Sequence, residues 1–270
     1  MDLVIVGPGR AGMSLALAAV DAGHRIAAVM ARRPDAARSA ARRLGADVLA
    51  LDDPVPSCDL VVLAVRDDAI PSVAERLAPL PPHAPRVVHV SGLTPVAALD
   101  PLRPASVGSL HPLQTLPDPE VGSARLAGAW VAVTSDDDEL ADRLFALARS
   151  VGMHPFELAD GDKALYHAAA AAAANYPLAA LSMARRLFEA AGVPFEAAGP
   201  LVRAVVDNAF ALGPDEALTG PIARGDVGTV AAQLAAVAKA DPSLAPHFAS
   251  MARATAAVAG TGAVFEEVLG

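Results

Sequence analysis

Leu3, Val4, Ile5 and Val6 form a short apolar run, and directly after it comes Gly7-Pro8-Gly9-Arg10-Ala11-Gly12, a G-x-G-x-x-G loop. Residues 12–23 then carry apolar side chains at helical spacing. A strand before the loop and an amphipathic helix after it is the setting in which this motif cradles a dinucleotide. Gly7 permits the tight turn, Gly9 lets a pyrophosphate approach the backbone, and Gly12 lets the helix pack on the strand. The phosphates are expected on the free N–H groups at Arg10 and Ala11, at the positive end of the helix.

The end of the second strand chooses between nicotinamide cofactors. An NAD site places an acidic residue about 20 positions after the glycines, bonded to the ribose 2′-OH. Here that place reads Ala31-Arg32-Arg33. A carboxylate would repel a 2′-phosphate, whereas a guanidinium pairs with it in bidentate fashion. The expected cofactor is NADP(H), held at that end by Arg32 and Arg33.

Further along, apolar runs at 25–31, 48–51, 60–65, 86–90, 130–134 and 154–158 alternate with helical patterns at 34–44, 70–80 and 138–151. That alternation predicts an α/β fold, a Rossmann doubly wound and mostly parallel sheet covered on both faces. After Asp160 the strand signals stop. Helical patterns at 162–191, 196–212, 226–240 and 243–259 predict an all-α C-terminal domain. The expected division is a NADP-binding domain over 1–159 and a helical substrate and dimerisation domain over 160–270, packed closely together.

Composition excludes several classes. The 30 acidic residues exceed the 21 lysines and arginines, against a general nucleic-acid binder. Hydrophobic residues make up 54% of the chain, too many for disorder. Cys58 is the single cysteine, so neither an internal disulfide nor a cysteine-built zinc site is possible, and no metal is expected. No basic, apolar leader precedes Leu3, and the uncharged stretch 164–184 is mostly alanine, read as a buried helix and not a membrane span. The expectation is a cytoplasmic protein with no membrane partner.

In an open parallel sheet the ligand lies beyond the carboxyl ends of the strands, so Ala64, Val65 and Ser91 are expected to line the nicotinamide pocket. Asp67 and Asp68 read as helix caps ahead of Ile70. His89, inside an apolar run, reads as a core histidine.

Several segments together resemble a known group. They are the glycine loop, Leu60-Val65 with Asp67-Asp68-Ala69-Ile70, His89-Val90-Ser91-Gly92, and Gly108-Ser109-Leu110-His111-Pro112-Leu113-Gln114-Thr115. Tyr166-His167-Ala168-Ala169 with Asn175-Tyr176, and Leu218-Thr219-Gly220-Pro221-Ile222-Ala223-Arg224-Gly225-Asp226, complete the set. The chain resembles Rossmann-like proteins with a C-terminal domain of unknown function (number 2520). These are related more distantly to the 6-phosphogluconate dehydrogenase, ketopantoate reductase and pyrroline-5-carboxylate reductase superfamily. The resemblance implies a nicotinamide oxidoreductase whose helical domain completes the cleft of a partner subunit, hence a homodimer. It departs from the β-hydroxyacid dehydrogenases in placing His167, not asparagine, four residues after Lys163, with Asn175 further along. The group's usual proline after the fourth strand is Arg66 here.

A reductase must supply a proton where the hydride arrives and must hold the substrate's charge. Lys163, His167 and His111 are the candidates for the proton. Lys163 and His167 lie four apart on one helical face, with Asn175 nearby on the same arc; His167 is also marked by the resemblance. The structural alternative for Lys163 is pairing with Asp160 or Asp162, either of which could cap the helix. Pro177 is expected to kink that helix, leaving the Ala173 carbonyl without its donor. His111, with Ser109 and Gln114, is expected either on a loop closing the substrate pocket or on a turn whose histidine caps backbone groups. Thr219 and Arg224 are expected to bind substrate, Arg224 clamping a carboxylate, or else to form an interdomain hook. Asp226 reads as the N-cap of the next helix. The function expected is NADP(H)-dependent reduction of a small anionic carbonyl or imine compound, a 2-oxo acid such as ketopantoate first. The alternatives are a non-catalytic NADP-binding sensor or scaffold and a deazaflavin:NADP oxidoreductase.

Overall fold

In the computed structural model, residues 1–78 and 86–269 are described. Eight strands form one sheet: β1 (Asp2–Val6), β2 (Arg25–Met30), β3 (Asp47–Leu49), β4 (Leu60–Leu63), β5 (Arg86–His89), β6 (Val107–Pro112), β7 (Trp130–Ser135) and β8 (His154–Glu157). Their order is β3-β2-β1-β4-β5-β6-β7-β8, and every neighbouring pair is parallel except β6–β7. The chain reverses direction between β3 and β4, on either side of β1, so the glycine loop leaves the sheet at the topological switch point where such folds bind nucleotides.

The helices of this part are α1 (Arg10–Asp21), α2 (Pro34–Leu44), α3 (Ile70–Leu77), α4 (Pro119–Leu126) and α5 (Asp138–Ser150). Alternate residues of β1 feed two separate cores. Leu3 and Ile5 pack with α1, α2 and α5, while Val4 and Val6 pack with α3. A strand buried on both faces reads as a continuous apolar run, which is why the sequence pattern located β1, β2 and β4. The helix expected over 70–80 is observed to Leu77; its last two expected residues, Pro79 and Leu80, lie outside the described residues.

In the sheet unit, a strand and a helix departed from expectation. The segment around His111 is not a loop or turn but β6, paired to β5 and β7. Gly108, Ser109, His111 and Pro112 dilute its apolar signal, and the buried polar groups are satisfied by partners distant in sequence. Helix α4 was unforeseen as well; Gly122 packs it so tightly on α1 that an added Cβ would lie 2.1 Å from Ser14 Oγ.

Two compact units are formed, Met1–Ala174 and Asn175–Gly270, with the division inside the long α6 (Lys163–Ala190). The second unit continues with α7 (Ala198–Leu212), α8 (Pro214–Ala217), α9 (Val227–Ala240), α10 (Ala245–Val258) and α11 (Glu266–Leu269). Its core is small: Val230, Ala252, Ala256, Phe265 and Leu269. Asp226 caps α9 as expected, accepting the Thr229 N–H at 3.0 Å. Pro177 lies inside α6. Among the described residues, no helix is long and apolar enough to cross a membrane.

Candidate active site

The glycine loop leaves no room for side chains at two of its three glycines. Gly7 has φ +93°, and a Cβ there would lie 2.7 Å from the Ala64 carbonyl oxygen. A Cβ on Gly12 would lie 2.3 Å from the Gly7 carbonyl oxygen. Gly9 faces open space instead, with nothing within 4 Å, so its backbone is free to approach a ligand. It is also the N-cap of α1, with no side-chain cap and no acidic residue in the first turn. The first N–H groups of α1, Arg10 and Ala11 among them, are therefore available to an anion.

Two cavities border this loop. One, about 520 Å³, is lined by Gly9, Arg10, Ala11, Ala64, Val65 and Arg66. The other, about 690 Å³, extends from Gly7 and Gly9 past Val65 to Arg32, Arg33 and Arg76. Arg66 pairs with Asp68, and Arg76 with Asp52 at 2.7 Å. Arg32 and Arg33 make no ion pair among the described residues, so their guanidinium groups are open to an incoming phosphate. Free helix N–H groups, a glycine cradle and uncommitted arginines at the second-strand end all fit NADP(H).

The second cluster hangs between β6 and the start of α6. His111 and Ser109 are two apart on the strand and so share a face; Lys163 and Tyr166 are three apart on the helix and share one too. They meet as two rungs. His111 Nδ1 lies 2.8 Å from the Tyr166 hydroxyl, and Lys163 Nζ donates to Ser109 Oγ at 2.8 Å. The His111 and Tyr166 rings meet edge to face, 5.5 Å between centroids, with the His167 ring 6.2 Å from His111. The His111 ring packs on Gly92, where a Cβ would come within 2.7 Å of Cε1. His111 also borders a cavity of about 140 Å³ together with Ala11, Val90 and Gln114, next to the glycine-loop helix.

Burial sets the charge state of this pair. It pushes His111 down to about 4, helped by the positive potential of His167 and Lys163 and opposed by Asp67. It pushes the Tyr166 phenol up to about 12. Near neutrality both are uncharged, a hydroxyl that keeps its proton against an imidazole that does not take a second. Tyr166 is the candidate site residue that sequence reasoning missed; it stood in a quoted motif, but only its rung to His111 sets it apart from a core tyrosine.

Lys163 is 2% exposed. Its ammonium donates to the Thr94 carbonyl at 2.8 Å as well as to Ser109, and lies 3.7 Å from Asp160. Burial lowers its pKa to about 8 against the pull of Asp160 and Asp67. The expected pairing with Asp160 is present, but neither Asp160 nor Asp162 caps α6. They form a 3₁₀ turn without a side-chain cap, and Asp160 instead accepts the Val96 N–H at 2.9 Å.

Other expected site residues have different work. Ser109 is 1% exposed and committed to Lys163, not open to a substrate. Ser91 is 5% exposed; its hydroxyl donates to Asp67 at 2.7 Å and accepts the N–H groups of Leu93 and Thr94. It ties the loops after β4 and β5 together and has no hydroxyl proton left for a nicotinamide. Asp67 and Asp68 are not helix caps: Asp67 accepts from Ser91 and Asp68 pairs with Arg66. Their loop needed those partners more than α3 needed a cap, since Pro71 in its first turn lacks an N–H to satisfy. Gln114 is exposed and turned onto the Thr115 N–H at 2.8 Å. His89 is the buried core histidine expected of it. Asn175, Thr219 and Arg224 belong to the second unit and are exposed.

Residues 2–91 match the family model described as NADP oxidoreductase coenzyme F420-dependent, and residues 129–255 match a domain of unknown function (DUF2520). No curated protein sequence matches the chain. Among solved structures, a Bacteroides fragilis protein assigned as an NADP oxidoreductase is similar, with TM-score 0.83 and 22% identity over 95% of this chain and 98% of that one. The 1-pyrroline-5-carboxylate reductase of Streptococcus pyogenes follows the same fold, with TM-score 0.66 and 16% identity over 97% and 98%. So does an Aspergillus terreus reductive aminase in complex with NADPH and ethyl-5-oxohexanoate, with TM-score 0.62 and 20% identity over 99% and 89%. The chain therefore joins an N-terminal Rossmann segment that matches the NADP oxidoreductase coenzyme F420-dependent model to a C-terminal segment that matches DUF2520.

Proposed function

We propose that this chain is an NADP(H)-dependent reductase of a small carbonyl or imine compound, with the His111–Tyr166 pair as its proton source. The observation that carries this reading is the position of that pair. Its His111 sits at the end of an interior strand, beside a cavity that it shares with Ala11 of the glycine-loop helix, with Tyr166 behind it. Arg32 and Arg33 hold the 2′-phosphate, the first N–H groups of α1 hold the pyrophosphate, and Ala64 and Val65 line the wall beyond. NADPH, when bound, supplies the hydride. With Tyr166 donating to Nδ1, the neutral His111 ring carries its hydrogen on Nε2. That N–H meets the oxygen or nitrogen on which negative charge develops. As its proton passes to the substrate, the Tyr166 hydroxyl gives its own to Nδ1 and is reprotonated from solvent, and general acid help of this kind contributes about 10²–10⁴-fold.

The substrate class is drawn more finely from the fold neighbours. A pyrroline-5-carboxylate reductase and a reductive aminase support screening cyclic imines beside 2-oxo acids such as ketopantoate. Arg224 and Thr219 are the candidates for holding the substrate's anionic group, and Asn175 lies on the same helix as Tyr166. The chain acts as a homodimer through α6 and α7, whose apolar side chains Leu178, Leu201, Val205 and Phe210 are all exposed. A second reading, hydride exchange with a deazaflavin, is favoured by the family model that residues 2–91 match.

Fluorescence titration with NADPH, NADH and reduced deazaflavin tests the cofactor, repeated with Arg32→Asp. NADPH binding weakened at least about tenfold by the substitution, with NADH little affected, is the expected result. Turnover on a screened imine or 2-oxo acid should then fall about 100-fold or more in His111→Gln. Absence of nicotinamide binding would overturn the reductase reading, and undiminished turnover in His111→Gln would overturn His111 as its proton source.

A further inference from the structure

The two rungs between β6 and α6 are not equivalent. One, His111–Tyr166, borders a cavity through its His111; the other, Ser109–Lys163, is closed off, with both side chains at 1–2% exposure. Two residues of strand advance about 6.7 Å and three of helix about 4.5 Å, so neither rung can slide without moving its neighbour. We propose that Lys163 is a positioning residue: its buried ammonium clamps β6, the loop after β5 and the start of α6 together, and so holds His111 against Tyr166. This rests on the reading of His111–Tyr166 as proton source, and assigns Lys163 a role behind the pair instead of at the reacting atoms.

The clamp has three attachments of different kinds. The Thr94 carbonyl fixes the loop that follows Gly92, on which the His111 ring lies. Ser109 Oγ fixes the strand two residues before His111. Asp160, 3.7 Å away, balances the charge and also holds the Val96 N–H of the same loop. Ser91 and Asp67 carry the connection to the loop after β4, which lines the cofactor cavities through Val65 and Arg66. A fixed cation there also keeps His111 from charging. The ionisable groups around Lys163 are Asp160 on its own turn, Asp67 after β4, His89 on β5 and His111 on β6; those around His111 add His167 and Tyr166. A methylene stem of leucine or methionine in this place would fill space but would supply neither the hydrogen bonds nor the field.

The test reads the imidazole itself, independent of any substrate. The full-length protein is labelled with ¹⁵N-histidine, and the His111 ring signals are assigned by their loss in His111→Gln and followed against pH in wild type, Lys163→Met and Lys163→Arg. The expected result is a His111 ring held as one neutral tautomer in wild type, and titration about one pH unit higher with mixed tautomers in Lys163→Met. Lys163→Arg should restore the low value, because it keeps the charge. NADPH affinity should stay within about twofold in all three, since Lys163 lies outside the cofactor cavities. Identical His111 behaviour in wild type and Lys163→Met would overturn the positioning role. Should Lys163→Met fail to fold, Ser109→Ala removes one attachment and keeps the charge: loss of the single tautomer supports the clamp, and an unchanged tautomer overturns it. Failure of the proton-source reading would instead appear as full turnover in His111→Gln, whatever the ring signals do.

Discussion

His89 is fully buried on β5, where its Nδ1 accepts the Ser91 N–H at 3.2 Å. Burial first, and the Lys163 charge second, push it down to about 3, with the Pro95 carbonyl opposing. The unfolded chain takes up this proton near the ordinary 6.5, the folded chain only near 3. Between those values the unfolded state holds the extra proton, so stability falls as pH drops. At full extent that costs on the order of 5 kcal/mol. His89→Gln, which keeps an acceptor near the Ser91 N–H, should therefore flatten the fall of the thermal midpoint between about pH 6 and pH 4. An equally steep fall in the variant would place the acid sensitivity elsewhere. At this scale the sequence identified His89 as core from its apolar neighbours, and Gly7, Gly9 and Gly12 from their spacing. It did not distinguish a committed hydroxyl from a free one. Ser91 and Ser109 looked equally available, and only the positions of Asp67 and Lys163, 24 and 54 residues away, removed them from the pocket.

Elements were legible in proportion to how local their signals are. Helix α2 begins at Pro34 and ends before Gly45, which takes the left-handed conformation at φ 64°; proline at the start and glycine past the end are local punctuation. Strand β6 carries no such mark, because its polar residues are buried by groups on α6. Helix α4 owes its place to close contact with α1, and that contact is measurable. Gly122→Ala would press a methyl group onto Ser14 Oγ, so a loss of about 1–3 kcal/mol in urea unfolding is expected. An unchanged midpoint would mean that α4 shifts freely and that the contact carries no stability. The clamp through Lys163 belongs to this scale as well, since it acts by joining a strand, a loop and a helix.

For the molecule as a whole, burial is uneven. The sheet unit encloses two apolar cores, whereas α6 buries only Lys163 and α7 only Ala198. Phe210 is 91% exposed and Leu178, Leu201 and Leu212 more than half exposed. Covering each such side chain is worth about 1.5–3 kcal/mol, which a second copy of the chain would recover. Phe210→Glu should convert a dimer to monomer in analytical ultracentrifugation, with helix content by circular dichroism unchanged. A wild-type monomer, or a variant that still pairs, would remove α7 from the interface.

What the sequence determined alone was written in local periods: strand–helix alternation, the glycine spacing, the absence of an acid after the second strand, and the helical run that follows Asp160. These depend on neighbours within a few turns, so one dimension suffices to read them. Which strand lies beside which, that β6 runs antiparallel to β7, and that Lys163 faces Ser109 while Tyr166 faces His111 were decided only by the tertiary structure. The physical reason is desolvation. A lysine, two serines and a histidine are accommodated here only because partners brought from 24 to 69 residues away hydrogen-bond to them, and no local pattern records where those partners will be.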